Sequence, residues 1–152
     1  MNTIAAAFER LYGAERKGYM NELIIEAKLE NLDTVLDFIN EKIDDCSAKI
    51  QNQIRIVVDE IFSNIARYAY HPKVGGAVVR IAVGDDIIIE FEDNGTPYNP
   101  LDQVDPDVSL SAEEREIGGL GLFMVKNLMD SVEYRREENR NILTIKKRLA
   151  QP

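Results

Sequence analysis

Apolar residues recur along this chain with two different periods, and the switches between them divide it into elements. Residues 3–17 read as a short helix stopped by Gly18, or else as a loose N-terminal tail. From 22 to 29 apolar and polar residues alternate in a stretch rich in Leu and Ile, the pattern of a strand. Leu32, Val35, Leu36, Ile39 and Ile43 then return at helical spacing behind Asn31 or Asp33, either of which can cap a helix start. Ser47 can cap a third helix running to about Tyr70, with Ile54, Val57, Val58, Ile61, Phe62, Ile65 and Ala69 as its apolar stripe. His71-Pro72 ends it, since proline biases the residue before it away from the helical region. Strands at 78–83 and 87–92 are joined by Gly84-Asp85-Asp86, a short hairpin connection. A helix at 120–129 and strands at 132–136 and 142–147, split by the charged turn 137–140, complete the pattern. Adjacent strands and runs of helix in this order predict a two-layer α+β sandwich.

Between residues 94 and 116 the periodicity disappears. This polar segment holds Pro97, Pro100 and Pro106 and the acids Asp102, Asp105, Asp107, Glu113 and Glu114. So long a loop inside a compact domain is commonly functional, often a lid. The acids lack the spacing of a calcium loop and read as a solvated segment.

Bulk properties narrow the function classes. A chain of 152 residues suits one domain with a real core. No apolar run approaches the roughly 20 residues of a membrane helix, and no basic region precedes the N-terminal apolar residues as in a secretory signal. Cys46 stands alone, so no internal disulfide can form, which fits a reducing cytoplasm. The net charge of −9 disfavours nucleic acid, whose binding relies on Lys and Arg at phosphates. The one dense basic run, Lys146-Lys147-Arg148, reads as a solvated strand end. His71, beside a proline at a helix end, reads as a dipole partner rather than a catalyst.

Three segments carry candidate chemistry. Glu60 and Asn64 lie four residues apart, hence about 40° apart around a helix, at the edge of its apolar stripe. Asn64 offers a hard carbonyl oxygen suited to magnesium, and Glu60 can act as a general base on a hydroxyl or a water. Asp93 continues the strand face of Ile87, Ile89 and Phe91. An acid pointing toward the core needs a donor, which an adenine amino group or a backbone amide can supply. Gly118-Gly119-Leu120-Gly121 lets the backbone approach a ligand closely and leads into a helix N-terminus, an arrangement that binds phosphate. It is not a Walker loop, which ends in Gly-Lys-Ser/Thr.

Together, Glu60-x-x-x-Asn64, Asp93-x-Gly95 and Gly119-x-Gly121 resemble the N, G1 and G2 boxes of the GHKL, or Bergerat, ATP-binding fold. Within it, Gly-Gly-Leu-Gly-Leu-Phe-Met-Val-Lys-Asn-Leu-Met-Asp at 118–130 is similar to the anti-sigma-factor serine kinases of bacteria. The resemblance covers about 22–149 and leaves 1–20 outside, so a single GHKL domain is expected over 21–152 with a lid at 96–117. It implies a mixed, mostly antiparallel sheet with helices on one face, and ATP and Mg2+ as ligands. Glu60 would be the general base toward a partner's serine, Asn64 the magnesium ligand, and Asp93 the acceptor for the adenine amino group beside Gly95. Gly119, Leu120 and Gly121 would form the phosphate loop, with Arg115 within reach of the γ-phosphate. The implied partners are a sigma factor and an antagonist protein phosphorylated on serine, and the implied assembly is a homodimer in the cytoplasm. The chain departs from the family where Tyr68 replaces a histidine, Ile117 an arginine and Arg140-Asn141 a Gly-Thr. A nucleotide-dependent switch that sequesters its partner without phosphotransfer is the alternative function. An interaction domain without nucleotide is the third.

Overall fold

The computed structural model describes residues 20–102 and 120–149. The expected helix at 3–17, most of the polar segment, Arg115 and Gly119 lie outside the described residues. Five strands form one sheet, β1 (Asn21–Glu26), β2 (Gly76–Val83), β3 (Asp86–Asp93), β4 (Ser131–Glu137) and β5 (Arg140–Arg148), in the order β1-β2-β3-β5-β4. Each neighbouring pair is antiparallel. Three helices, α1 (Leu32–Lys42), α2 (Ala48–Asn64) and α3 (Leu120–Leu128), share a core with one face of that sheet. The two-layer α+β sandwich is therefore present, with the sheet antiparallel throughout the described residues.

Strand alternation assigns the faces. Val79 and Ile81 of β2, Ile87, Ile89 and Phe91 of β3, and Leu143 and Ile145 of β5 point to the helices. They meet Val35 and Ile39 from α1, Ile54, Val57, Val58, Ile61 and Phe62 from α2, and Leu122 and Val125 from α3. The α2 stripe is thus the expected one. Phe62 and Phe91 are fully buried, and truncating either to alanine costs about 3–5 kcal/mol.

Two local expectations change. β1 stops at Glu26, not 29, because the Lys28 N–H folds back to the Glu26 carbonyl (2.9 Å) and Leu29–Asn31 wind into a 3-10 turn. Asn31 does not cap α1 through its side chain; its Nδ2 donates instead to the Glu26 carbonyl at 2.9 Å. Ser47 does cap α2, its Oγ accepting from the Ile50 N–H at 3.3 Å.

The opposite face of the sheet carries a cluster of charged side chains beside the buried apolar residues Ala82, Ile88 and Ile142. Arg80 Nη1 lies 2.7 Å from Glu92 and 3.4 Å from Glu90, its Nε 2.7 Å from Glu22, and Arg135 Nη2 is 3.5 Å from Glu90. These side chains shield one another, so Glu90 is fully buried. Burial pushes its carboxyl above the usual range, with Arg135 and Arg80 opposing. The basic run at 146–148 is structural: Lys146 pairs with Asp86 at 3.4 Å, and Lys147 Nζ donates to the Leu128 carbonyl at the end of α3 (2.8 Å). Among the described residues no helix is long and apolar enough to cross a membrane.

Candidate functional site

Glu60 and Asn64 sit one turn apart near the C-terminal end of α2, half-buried at the rim of its apolar face. Asn64 Nδ2 donates to Glu60 Oε1 at 3.0 Å. That bond orients both groups. It engages the amide nitrogen, and no hydrogen bond among the described residues ends on Asn64 Oδ1, which leaves a hard oxygen for a cation.

Gly121, in the first turn of α3, lies against Glu60. A Cβ there would fall on the Glu60 carboxylate, so a glycine is what lets the two helices meet here. The helix N-terminus, with its free N–H groups and partial positive charge, is thereby brought beside the carboxylate. Ile56, Asp59, Glu60, Gly121, Met124 and Val125 line a cleft of about 220 Å³ between α2 and α3.

After Asn64 the helix widens into a π-helical turn, Ile65–Ala69, a distortion frequent at functional sites. Its end is tied to the turn that follows β3. Thr96 N–H donates to the Ala69 carbonyl at 2.9 Å, and Asn94 N–H to Tyr70 Oη at 2.7 Å. Tyr70 Oη in turn donates to the Gly76 carbonyl at 2.6 Å. A Cβ at Gly95 would strike the Ala69 carbonyl, so this glycine is required by the close approach of turn to helix end. Glu60, Asn64 and the Asp93 turn are thus joined through one hydrogen-bonded segment.

Asp93 faces the helix layer, as strand alternation requires, and is only 6% exposed. Its Oδ1 accepts from Gly95 N–H (2.8 Å) and from Asn141 Nδ2 (3.0 Å); among the described residues its Oδ2 accepts nothing. Burial raises its pKa, and the bonds from Asn141 and Gly95 and the nearby Arg136 charge oppose the rise. A buried carboxylate with one oxygen uncommitted among the described residues can accept a further donor.

Asn141 figures among the expected residues only as a departure from Gly-Thr, and Tyr134, Arg136 and Tyr70 are not among the expected site residues. Asn141 could have been found as Asp93 was: it continues the helix-facing set Ile145 and Leu143 with a polar residue. Of the remaining expected residues, Leu120 begins α3. Tyr68 is exposed.

The chain is 26% identical over 102 residues to a Bordetella bronchiseptica protein named serine/threonine-protein kinase BtrW, covering 65% of this chain and 71% of that one. It is 29% identical over 99 residues to the serine-protein kinase RsbW of Listeria monocytogenes, covering 61% and 63%. It is 30% identical over 98 residues to the RsbW of Bacillus cereus, covering 61% of each. In the latter two pairs, then, the matched stretch spans less than two thirds of the relative. Among solved structures, the RsbU and RsbW domains of Rv1364c from Mycobacterium tuberculosis superpose with a TM-score of 0.59 at 18% identity, over 87% of this chain and 33% of that one, a likeness of fold. Residues 25–147 match the family model described as histidine kinase-like ATPase domain. The chain belongs to this family of ATP-binding domains.

Proposed function

We propose that this chain is a serine-protein kinase that binds Mg·ATP beside Asp93, Asn64 and the α3 N-terminus and acts as an anti-sigma factor. Its substrate is a serine of an antagonist protein, and a sigma factor is its second partner. The observation that carries the reading is the Asn64–Glu60 bond of 3.0 Å facing Gly121, which supports a base and a cation ligand at one helix N-terminus. The names of the relatives, which are serine-protein kinases, support the same reaction.

In this reading Asp93 Oδ2 accepts from the adenine amino group, with Gly95 beside it. Gly119, Leu120 and Gly121 receive the phosphates, and Arg115 meets the γ-phosphate. Asn64 Oδ1 would hold the magnesium, which when bound would supply positive charge to the phosphates. Glu60 orients the serine hydroxyl and takes its proton. The serine oxygen then bonds to the γ-phosphorus as the bond to the β–γ bridging oxygen breaks, and ADP leaves. Residues 21–152 form the catalytic domain, 96–117 its lid, and the active species is a cytoplasmic homodimer.

The test is transfer from γ-labelled ATP to a candidate antagonist by wild type and Glu60→Ala. The expected result is label on serine, lost about 10²- to 10⁴-fold in the variant while partner binding persists. Nucleotide-dependent partner binding without any transfer by wild type would instead establish a non-catalytic switch.

A further inference from the structure

On the helix side of the sheet one row of side chains runs Ala77, Asp93, Asn141, Arg136 across β2, β3, β5 and β4, successive register partners. The adjacent row on that face, Val79, Phe91, Leu143, Tyr134, carries a single polar atom, the Tyr134 hydroxyl. The polar row centres on Asn141, which is 7% exposed. Its Nδ2 donates to Asp93 Oδ1 at 3.0 Å and to the Thr96 carbonyl at 2.9 Å. Its Oδ1 accepts from Tyr134 Oη at 2.6 Å, Arg136 Nη1 at 3.0 Å and Tyr98 N–H at 3.2 Å. An arginine and a backbone N–H can only donate, so the amide cannot turn over. Arg136 Nη1 also holds the Gly95 carbonyl at 3.1 Å, which ties the same row to the turn after β3.

The consequence falls on Asp93. With Gly95 N–H and Asn141 Nδ2 both on Oδ1, the ligand side of the carboxylate is Oδ2. We propose that Asn141 is the positioning residue for base selectivity: by engaging Oδ1 it presents Oδ2 as a bare acceptor, which selects a purine with an amino group at position 6 over one with a carbonyl there. The inference rests on the nucleotide reading given above. Asn141 acts through Asp93 in two ways. A carboxylate rotates easily about its terminal torsion, and Gly95 alone leaves that rotation open. Asn141 also heads the interactions that oppose the burial-driven rise of the Asp93 pKa. Without it the burial-driven rise is less opposed, and Oδ2 is held less firmly as an acceptor.

The experiment compares calorimetric affinities for Mg·ATP and Mg·ITP, whose bases differ in carrying an amino or an oxo group at that carbon. The full chain is used as wild type, Asn141→Ala, Asn141→Asp and Tyr134→Phe. Wild type is expected to prefer ATP by about tenfold or more, as a hydrogen bond to a charged group implies. Asn141→Ala brings the two affinities to within about threefold. Asn141→Asp keeps the shape and the partners on Oδ1 but sets a second carboxylate against Asp93. The like charges oppose each other and Oδ2 no longer stands as the single free acceptor, so the preference narrows. Tyr134→Phe removes one of the three donors to Asn141 Oδ1 and keeps the wild-type ratio. A residue important only for folding would lower stability and leave the ratio alone. Retention of the wild-type ratio in folded Asn141→Ala overturns the proposal; if that variant does not fold, the same outcome in Asn141→Asp does so. Equal affinities in wild type overturn the selectivity while leaving nucleotide binding standing. Wild type binding neither nucleotide removes the nucleotide reading itself, and this inference with it.

Discussion

Gly121→Ala separates fold from function at the point where the two helices meet. The new Cβ would fall on the carboxylate of Glu60, the far end of a flexible side chain, so the carboxylate can swing aside without moving backbone. Swinging aside breaks the 3.0 Å bond from Asn64 Nδ2, a loss of about 1.5–3 kcal/mol for a bond to a charged group if nothing replaces it. Glu60 is only half-buried, so water recovers part of that loss. Against it, alanine favours the helix over glycine by about 0.8–1 kcal/mol. The net change is a destabilisation of about 1 kcal/mol, or about 2–4 °C in melting temperature for a domain of this size. The functional loss is much larger, because a group displaced by about 1 Å can cost about 10²-fold in rate. Melting curves and γ-phosphoryl transfer measured on the same preparation are the assay. A variant that melts near wild type and transfers phosphate at the wild-type rate would refute the placing of Glu60 as the base. A melting temperature lower by tens of degrees would refute the claim that only a side chain yields.

Gly95→Ala is expected to behave in the opposite sense. Its Cβ meets the Ala69 backbone carbonyl, which cannot swing away, so overpacking of about 1–3 kcal/mol should lower the melting temperature measured by calorimetry by about 2–10 °C. Asp93→Asn keeps an acceptor oxygen for Gly95 N–H and Asn141 Nδ2 but removes the buried charge and the second acceptor. Nucleotide affinity should fall about tenfold or more. The pH dependence of stability follows from the same burial. The carboxyls of Asp93 and Glu90 are both raised by desolvation. The folded state therefore binds more protons than the unfolded one, and stability declines as pH rises from the ordinary carboxylate range through their folded values. Asp93→Asn should remove part of that decline and melt at or above wild type at neutral pH; a steeper decline in the variant would contradict the assignment.

Much of the fold was legible because most elements bury one face. The α2 stripe from Ile54 to Phe62 and the alternation of Ile87, Ile89 and Phe91 state which side meets the core, and the sheet and helices follow from them. The same alternation foretold that Asp93 points inward. Elements ended where local bonding took over from periodicity. Leu29 continues an apolar alternation, yet the bonds from Lys28 N–H and Asn31 Nδ2 to the Glu26 carbonyl turn the chain before it. Apolar periodicity does not register such turn bonds. The spacing of Glu60 and Asn64 gave their shared edge, but the reason for Gly121 did not show, since it depends on α3 crossing Glu60. The Asn141 network was the largest omission. Tyr134, Arg136 and Asn141 converge only once β4 and β5 are in register, and β5 is inserted next to β3. The buried charges of the opposite face were equally hidden: Arg80 and Glu90 meet at 3.4 Å only once β2 and β3 are in register, and no local pattern marks either as buried.

Titration of the purified chain with ATP, in the presence and absence of magnesium, bears most directly on the central claim. Saturable binding that strengthens with magnesium, and that Asp93→Asn weakens about tenfold or more, is the predicted result. A folded protein that takes up no heat with Mg·ATP would contradict the account, and the Glu60, Asn64 and Asp93 cluster would then belong to a partner-binding domain without nucleotide.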